Sequence, residues 1–212
     1  MKRQGIFLLL ILLLCAIGAW VLTTHPWEDD KSQSHDKQNE VIIDRFDRVL
    51  DEYVSLNSYA ALGRMNRQYP METKLLIEDV LELGRVDEPN VEQRLRHYYL
   101  DSTVQLLLDE VHRQYTDMSD IERDFRQVFE ILKKQDLSFQ VPHVYTQVSC
   151  LGQSIVVGDT LIGISLDKYL GADFPLYADF YTPEQRAQMN RGAIVTDAVS
   201  TYLQYLSSLQ QP

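Results

Sequence analysis

The chain has 212 residues, 45 % of them hydrophobic and 24 % charged, with 31 acidic against 20 basic side chains and a formal net charge of −11. Such a composition suits one globular domain with a sizeable core beside a short terminal segment. The negative excess repels phosphate backbones and no basic stripe offsets it, which argues against nucleic acid as a partner.

Lys2 and Arg3 precede an apolar run from Ile6 to Leu22, with Trp20 and Trp27 near its far end. A positive end followed by such a run favours export of everything downstream. At about 17 residues, the run lies at the lower limit for crossing a bilayer. Three readings stay open. An uncleaved signal anchor fits the length and the tryptophans, a cleaved signal peptide fits Ala16, Gly18 and Ala19, and a lipoprotein signal would acylate Cys15. Cys15 and Cys150 are too differently placed to pair, and Cys150 is read as a packed small side chain with no cation nearby in sequence.

The segment from Glu28 to Glu40 carries no apolar side chain and reads as a solvated tether, able to reach about 45 Å when extended. The expected organisation is therefore a signal segment over 1–27, a polar linker over 28–40 and a single domain over 41–212. Beyond the linker the period is helical. Ile42, Phe46, Val49, Tyr53 and Leu56 share one face. A short helix over 59–67 stops before Pro70, and another over 72–83 ends at Gly84, a residue suited to the left-handed C′ position. Pro89 can open the next stretch, marked by Val91, Leu95, Tyr98, Leu106, Leu107 and Val111. Ser119 with Glu122 reads as a capping box before Ile121, Phe125, Val128 and Leu132.

The period then changes to two. Val144, Thr146 and Val148 alternate with His143, Tyr145 and Gln147, and Gly158-Asp159 suits a two-residue hairpin turn with a positive φ at the glycine. The strand from Leu161 to Leu166 is apolar or small on both faces, so it should be covered on both sides. It delivers Asp167, Lys168 and Tyr169 into a loop onto which Tyr177 should pack. Lys168 is expected to be the exposed member of this candidate interaction cluster. Thr182-Pro183-Glu184-Gln185 is a second capping box, before a helix with Val195, Val199, Tyr202, Leu206 and Leu209 in a stripe. Helices, a small antiparallel sheet and a last amphipathic helix give an α+β domain.

No catalytic residue, metal ligand set or cofactor motif emerges. None of His25, His35, His97, His112 and His143 stands in a His-Glu-x-x-His arrangement, and Gly163-Ile-Ser165 lacks the glycine that would complete a nucleophile elbow. Asp167, Asp173 and Asp179 are too widely spaced for a calcium loop.

The segments Val41-Ile-Ile-Asp-Arg-Phe-Asp47, Val141-Pro-His-Val-Tyr-Thr-Gln-Val-Ser149 and Leu161-Ile-Gly-Ile-Ser-Leu-Asp-Lys-Tyr-Leu-Gly171, with Tyr177 following, resemble the GldB family of gliding-motility lipoproteins of the Bacteroidetes cell envelope. The resemblance implies lipidation at Cys15, although Leu14 stands where a small residue is usual. It also implies a link to the gliding and secretion machinery, and further helices beyond Pro212 in full-length relatives. A more distant likeness is to zinc peptidases of the zincin type, with Thr196, Asp197 and Ser200 in place of two ligands and a glutamate, a degenerate site. The leading expectation is a non-catalytic, membrane-tethered periplasmic domain without cofactor that binds another envelope protein. A peptidase-like hydrolase with an unrecognised site is the alternative.

Overall fold

In the computed structural model, residues 41–209 are described, within a compact unit that begins at Val41. The expected signal segment with Cys15, the polar linker and the last three residues lie outside them. Among the described residues no helix is long and apolar enough to cross a membrane. The elements in chain order are α1 (Phe46–Leu56), α2 (Tyr59–Gln68), α3 (Pro70–Lys74), a π-helical turn (Leu75–Val80), α4 (Val91–Tyr99), α5 (Ser102–Gln114), α6 (Ser119–Gln135), β1 (His143–Gln147), β2 (Ile155–Gly158), β3 (Leu161–Ser165), 3₁₀ turns at Leu166–Lys168 and Pro175–Asp179, α7 (Pro183–Gln188), a 3₁₀ turn at Arg191–Ala193, and α8 (Ile194–Leu209). This is a mixed α+β fold dominated by helix.

Helical periodicity places the core faces. Phe46, Val49, Leu50, Tyr53 and Val54 bury one stripe of α1, and Ile121, Phe125, Phe129 and Leu132 bury one stripe of α6. Each such side chain contributes roughly 1.5–3 kcal/mol through the apolar area it removes from water. The helical face expected to begin at Ile42 starts later. Residues before Phe46 are extended because Asp44 bridges to Tyr145 of β1, with its N–H on the Val144 carbonyl (3.0 Å) and its carbonyl on the Thr146 N–H (2.9 Å). Ile43 is thereby buried while Ile42 and Leu56 face solvent. Asp47, also buried, takes a bidentate pair from Arg45 and the Thr146 hydroxyl (2.5 Å), and Arg45 reaches on to the Tyr115 carbonyl (2.6 Å).

The expected capping box at Ser119 does not form. Glu122 instead accepts the N–H of Ile43 (3.0 Å), 79 residues away, and Ser119 is capped by Asp117 (2.9 Å). The helix expected over 72–83 is split, α-helical to Lys74 and π-helical from Leu75 to Val80. Gly84 does turn left-handed, at φ 114°. The stretch opened by Pro89 is two helices, because Asp101 caps a new N-terminus by accepting the Thr103 N–H (2.8 Å). The capping box of Thr182 and Gln185 is present, with Pro183 at the first helical position.

The sheet differs from expectation in sense. Its order is β1-β3-β2, with β1 and β3 parallel and β2 and β3 antiparallel, so it is mixed rather than antiparallel. The most apolar strand takes the centre, where Ile162 and Ile164 are wholly enclosed, as a strand covered on both faces requires. The hairpin turn is Asp159-Thr160, since Gly158 still pairs with Leu161 and does not adopt a positive φ. α1 packs on β1, α8 along β2 and β3, and α6 on α8.

Gly163 is the glycine whose missing side chain matters most. It pairs with Tyr145, whose ring lies over it, so that a Cβ there would stand 2.5 Å from ring atoms. Neither the buried ring nor the central strand can withdraw. Gly163→Ala should destabilise the protein by about 1–3 kcal/mol in chemical denaturation, through overpacking.

His143, at the start of β1, holds its Nε2 3.3 Å from Glu72 and 3.4 Å from Asp44. The bond to Glu72 raises its pKa above 6.5, against the opposing effect of burial. Stability from this pair is fully present below the unfolded-state value of 6.5 and is lost as pH rises through the raised one. Between those limits the melting temperature of the wild type should fall with pH, and that of His143→Gln should not.

Candidate functional site

The candidate cluster forms where β1 and β3, running parallel, both end. Beyond Gln147 the chain enters a tight loop in which two consecutive non-glycine residues, Cys150 (φ 56°) and Leu151 (φ 67°), are left-handed. Such residues cost of order 1 kcal/mol each and persist where their surroundings determine them. Here the determinant is Asp167. Its carboxylate, with no exposed surface, accepts the N–H groups of Ser149 (2.8 Å) and Leu151 (2.6 Å) and lies 3.3 Å from the Ser149 hydroxyl. Burial pushes the Asp167 pKa up, and the two backbone N–H bonds pull against it.

The neighbours of Asp167 close the loop from the other side. The Tyr177 hydroxyl donates to the Asp167 carbonyl (2.5 Å) and accepts the Leu170 N–H (3.0 Å), so Tyr177 packs onto the loop as expected. Lys168 departs from expectation: it is 9 % exposed. Its stem is covered, and its Nζ donates to the Tyr181 hydroxyl (2.6 Å), sits 4.3 Å from the centre of that ring and lies 3.4 Å from the Leu151 carbonyl. Tyr181 donates to the same carbonyl (2.9 Å). The Tyr169 carbonyl accepts the buried Tyr115 hydroxyl (2.6 Å), and the Val148 carbonyl accepts the Tyr99 hydroxyl. Cys150, read as a packed small side chain, is half-buried in this loop, and burial raises its thiol pKa.

Tyr169 joins this cluster to a cleft. Its hydroxyl donates to Asp197 Oδ2 (3.1 Å), on the first turn of α8. Gln153, Ser154, Ile155, Tyr169, Asp197, Ser200 and Thr201 line an open space of about 410 Å³ between the start of β2 and α8. Burial raises the Asp197 pKa, partly offset by the Tyr169 bond. The lining is chiefly hydroxyl, amide and carboxyl groups, suited to hydrogen bonding a polar group. Among the described residues no group of three or more His, Cys, Asp or Glu side chains is placed to hold a metal ion. His97 and His112 are exposed on α4 and α5.

Sequence reasoning therefore located Asp167, Lys168, Tyr169 and Tyr177 together and missed their partners. Ser149, Tyr99, Tyr115 and Tyr181 carry no local signal, because each reaches its bond across 13 or more residues. Asp197 stood out in the sequence only beside Thr196 and Ser200 in the likeness to a degenerate zincin-type site, with no sign of its bond to Tyr169. Asp167→Ala should cost about 1–3 kcal/mol by leaving two buried N–H groups unpaired, and Tyr177→Phe about 1–2 kcal/mol, both read from urea unfolding. Lys168→Ala should also lower the melting temperature, so this variant cannot separate function from folding.

Comparison with known proteins identifies the relationship at the level of the family. The family model described as gliding motility protein GldB matches residues 27–211. No curated protein and no solved structure matches the chain. The match spans most of the sequence, including all the elements described above: the chain belongs to the GldB gliding-motility lipoprotein family.

Proposed function

We propose that the protein is a non-catalytic component of the bacterial cell envelope, tethered to a membrane by residues 1–27 and spaced from it by residues 28–40. Its domain, residues 41–212, faces the periplasm and binds another protein of the gliding or secretion apparatus. The family supplies the association with gliding. The observation that favours binding over catalysis is the state of the polar groups at the strand ends. Asp167, Lys168 and Tyr177 are engaged with main-chain or tyrosine partners inside the fold, so their work is to fix the shape of the loop. They form a rigid platform beside the cleft of Tyr169 and Asp197. Rigid elements that present a shaped surface are what a specific partner site needs.

A hydrolase of the zincin type would use α8, where Asp197 and Ser200 line this cleft while Thr196 is exposed outside its lining. Metal analysis of the purified full chain distinguishes the two readings. Stoichiometric zinc would favour the hydrolase.

The tether yields a direct test. Deleting residues 1–27 should release the protein from the membrane fraction and leave a cooperative thermal transition, since residues 28–40 carry no apolar side chain to bury. In the full chain, Cys15→Ser should leave membrane association intact for a spanning anchor and abolish it for an acylated one. Persistence of the truncated protein in washed membranes would overturn the tether.

A further inference from the structure

The two edges of the sheet are treated differently. The outer edge of β1 is closed by Asp44, whose backbone bonds both Val144 and Thr146. The outer edge of β2 has no such cover among the described residues. Its hydrogen-bonding phase follows from a single contact, the Ser165 N–H on the Ser154 carbonyl (2.9 Å). In an antiparallel ladder, bonded and non-bonded pairs alternate. With Ile155 opposite Ile164 and Val157 opposite Ile162, the backbone groups of Val156 and Gly158 face β3, and those of Ile155 and Val157 point away from the sheet. Among the described residues no hydrogen bond engages them, and both residues are partly solvent-accessible.

Natural edges are commonly blunted by charge, proline, a bulge or a covering element. β2 reads Ile-Val-Val-Gly, without charge or proline; the residues before it, Gln153 and Ser154, are uncharged as well, and charge returns only at Asp159 in the turn. The cleft opens at the start of this edge: Ile155 contributes to its wall, and Ser154, Tyr169, Asp197, Ser200 and Thr201 surround it. An occupant must therefore offer backbone donors and acceptors at strand spacing, and a polar side chain beside them. Only an extended polypeptide combines the two.

We infer that the outer edge of β2 accepts an extended segment of the partner protein as an added strand, with one of its polar side chains seated in the cleft between β2 and α8. This deepens, and rests on, the reading of the protein as a partner-binding envelope component. Asp197, which already accepts the Tyr169 hydroxyl, gives the cleft a carboxyl acceptor.

The test uses the full chain, first purified and then in its native envelope. Hydrogen exchange on the purified, detergent-solubilised protein comes first. The amides of Ile155 and Val157 should exchange at least about tenfold faster than that of Val156. Equal protection would mean that another part of this chain already covers the edge, and would overturn the inference. A photo-cross-linking residue, p-benzoylphenylalanine, is then placed at Thr201 in the cleft, with Tyr59 and Leu137 as exposed comparison sites. An adduct from position 201 should fall about tenfold in Val157→Pro, which removes one outward N–H and no ladder bond, and persist in Val157→Thr. Both variants are checked for an unchanged melting transition. Should Val157→Pro fail to fold, Ile155→N-methylalanine, which also blocks an outward N–H, replaces it. An adduct insensitive to the backbone change, or one arising only from positions 59 or 137, overturns strand addition while partner binding stands. Absence of adducts from all three positions overturns both.

Discussion

The grip of the Asp167 carboxylate on the backbone of Ser149 and Leu151 sets the geometry of everything at the end of the sheet. A buried carboxylate needs a counterpart, and the adjacent Lys168 does not supply one as an ion pair, because its Nζ points to Leu151 and Tyr181 instead. The backbone N–H groups take that role, and charge-assisted bonds of this kind are about twice as strong as neutral ones. They hold Cys150 and Leu151 in a conformation that neither residue prefers. The turn then directs the Leu151 carbonyl toward two donors, and the clamp closes on the next loop.

Tyrosine serves the same end elsewhere in the fold. The chain has 12 tyrosines against 7 phenylalanines, and the difference is explained by what the hydroxyls reach. Tyr99, Tyr115, Tyr177, Tyr181 and Tyr202 each donate to a main-chain carbonyl, at Val148, Tyr169, Asp167, Leu151 and Asp159. These carbonyls lie in the turns and loops that link or follow the strands, where the ladder no longer offers a partner. A tyrosine fills core volume with its ring and satisfies such a carbonyl with its tip, two tasks that phenylalanine cannot combine.

This division explains what could be read from sequence. Patterns governed by neighbours within one or two turns were legible: the apolar stripes of α1 and α6, the box at Thr182 and the enclosed strand β3 all have local causes. On α8 the stripe is rotated, with Ile194, Ala198, Val199 and Tyr202 buried and Leu209 exposed, because the helix packs along β2 and β3. Patterns with a distant competitor were not legible. Glu122 has the spacing of a capping partner, yet the Ile43 N–H claims it. Lys168 has the character of a surface residue, yet Tyr181, arriving 13 residues later, covers it. Strand order was hidden for the same reason: neighbours in sequence suggest an antiparallel meander, while the fit of Tyr145 over Gly163 belongs to a central β3 beside a parallel β1.

The contrast between the sheet edges bears on how strongly the open one could act alone. β2 has four residues, of which Ile155 and Val157 present backbone groups outward. Two donors and two acceptors at a net 0.5–1.5 kcal/mol each give about 2–6 kcal/mol before the cost of ordering a peptide. A micromolar complex requires about 8 kcal/mol. The edge can thus set the direction and register of a bound segment, but affinity and choice of partner must come from side chains. The cleft of Tyr169 and Asp197 is the adjoining place for them, and the Asp167 clamp, through Tyr169, fixes the cleft's shape. The buried cluster and the open surface are in this sense one construction, in which the rigid part determines what the accessible part can select.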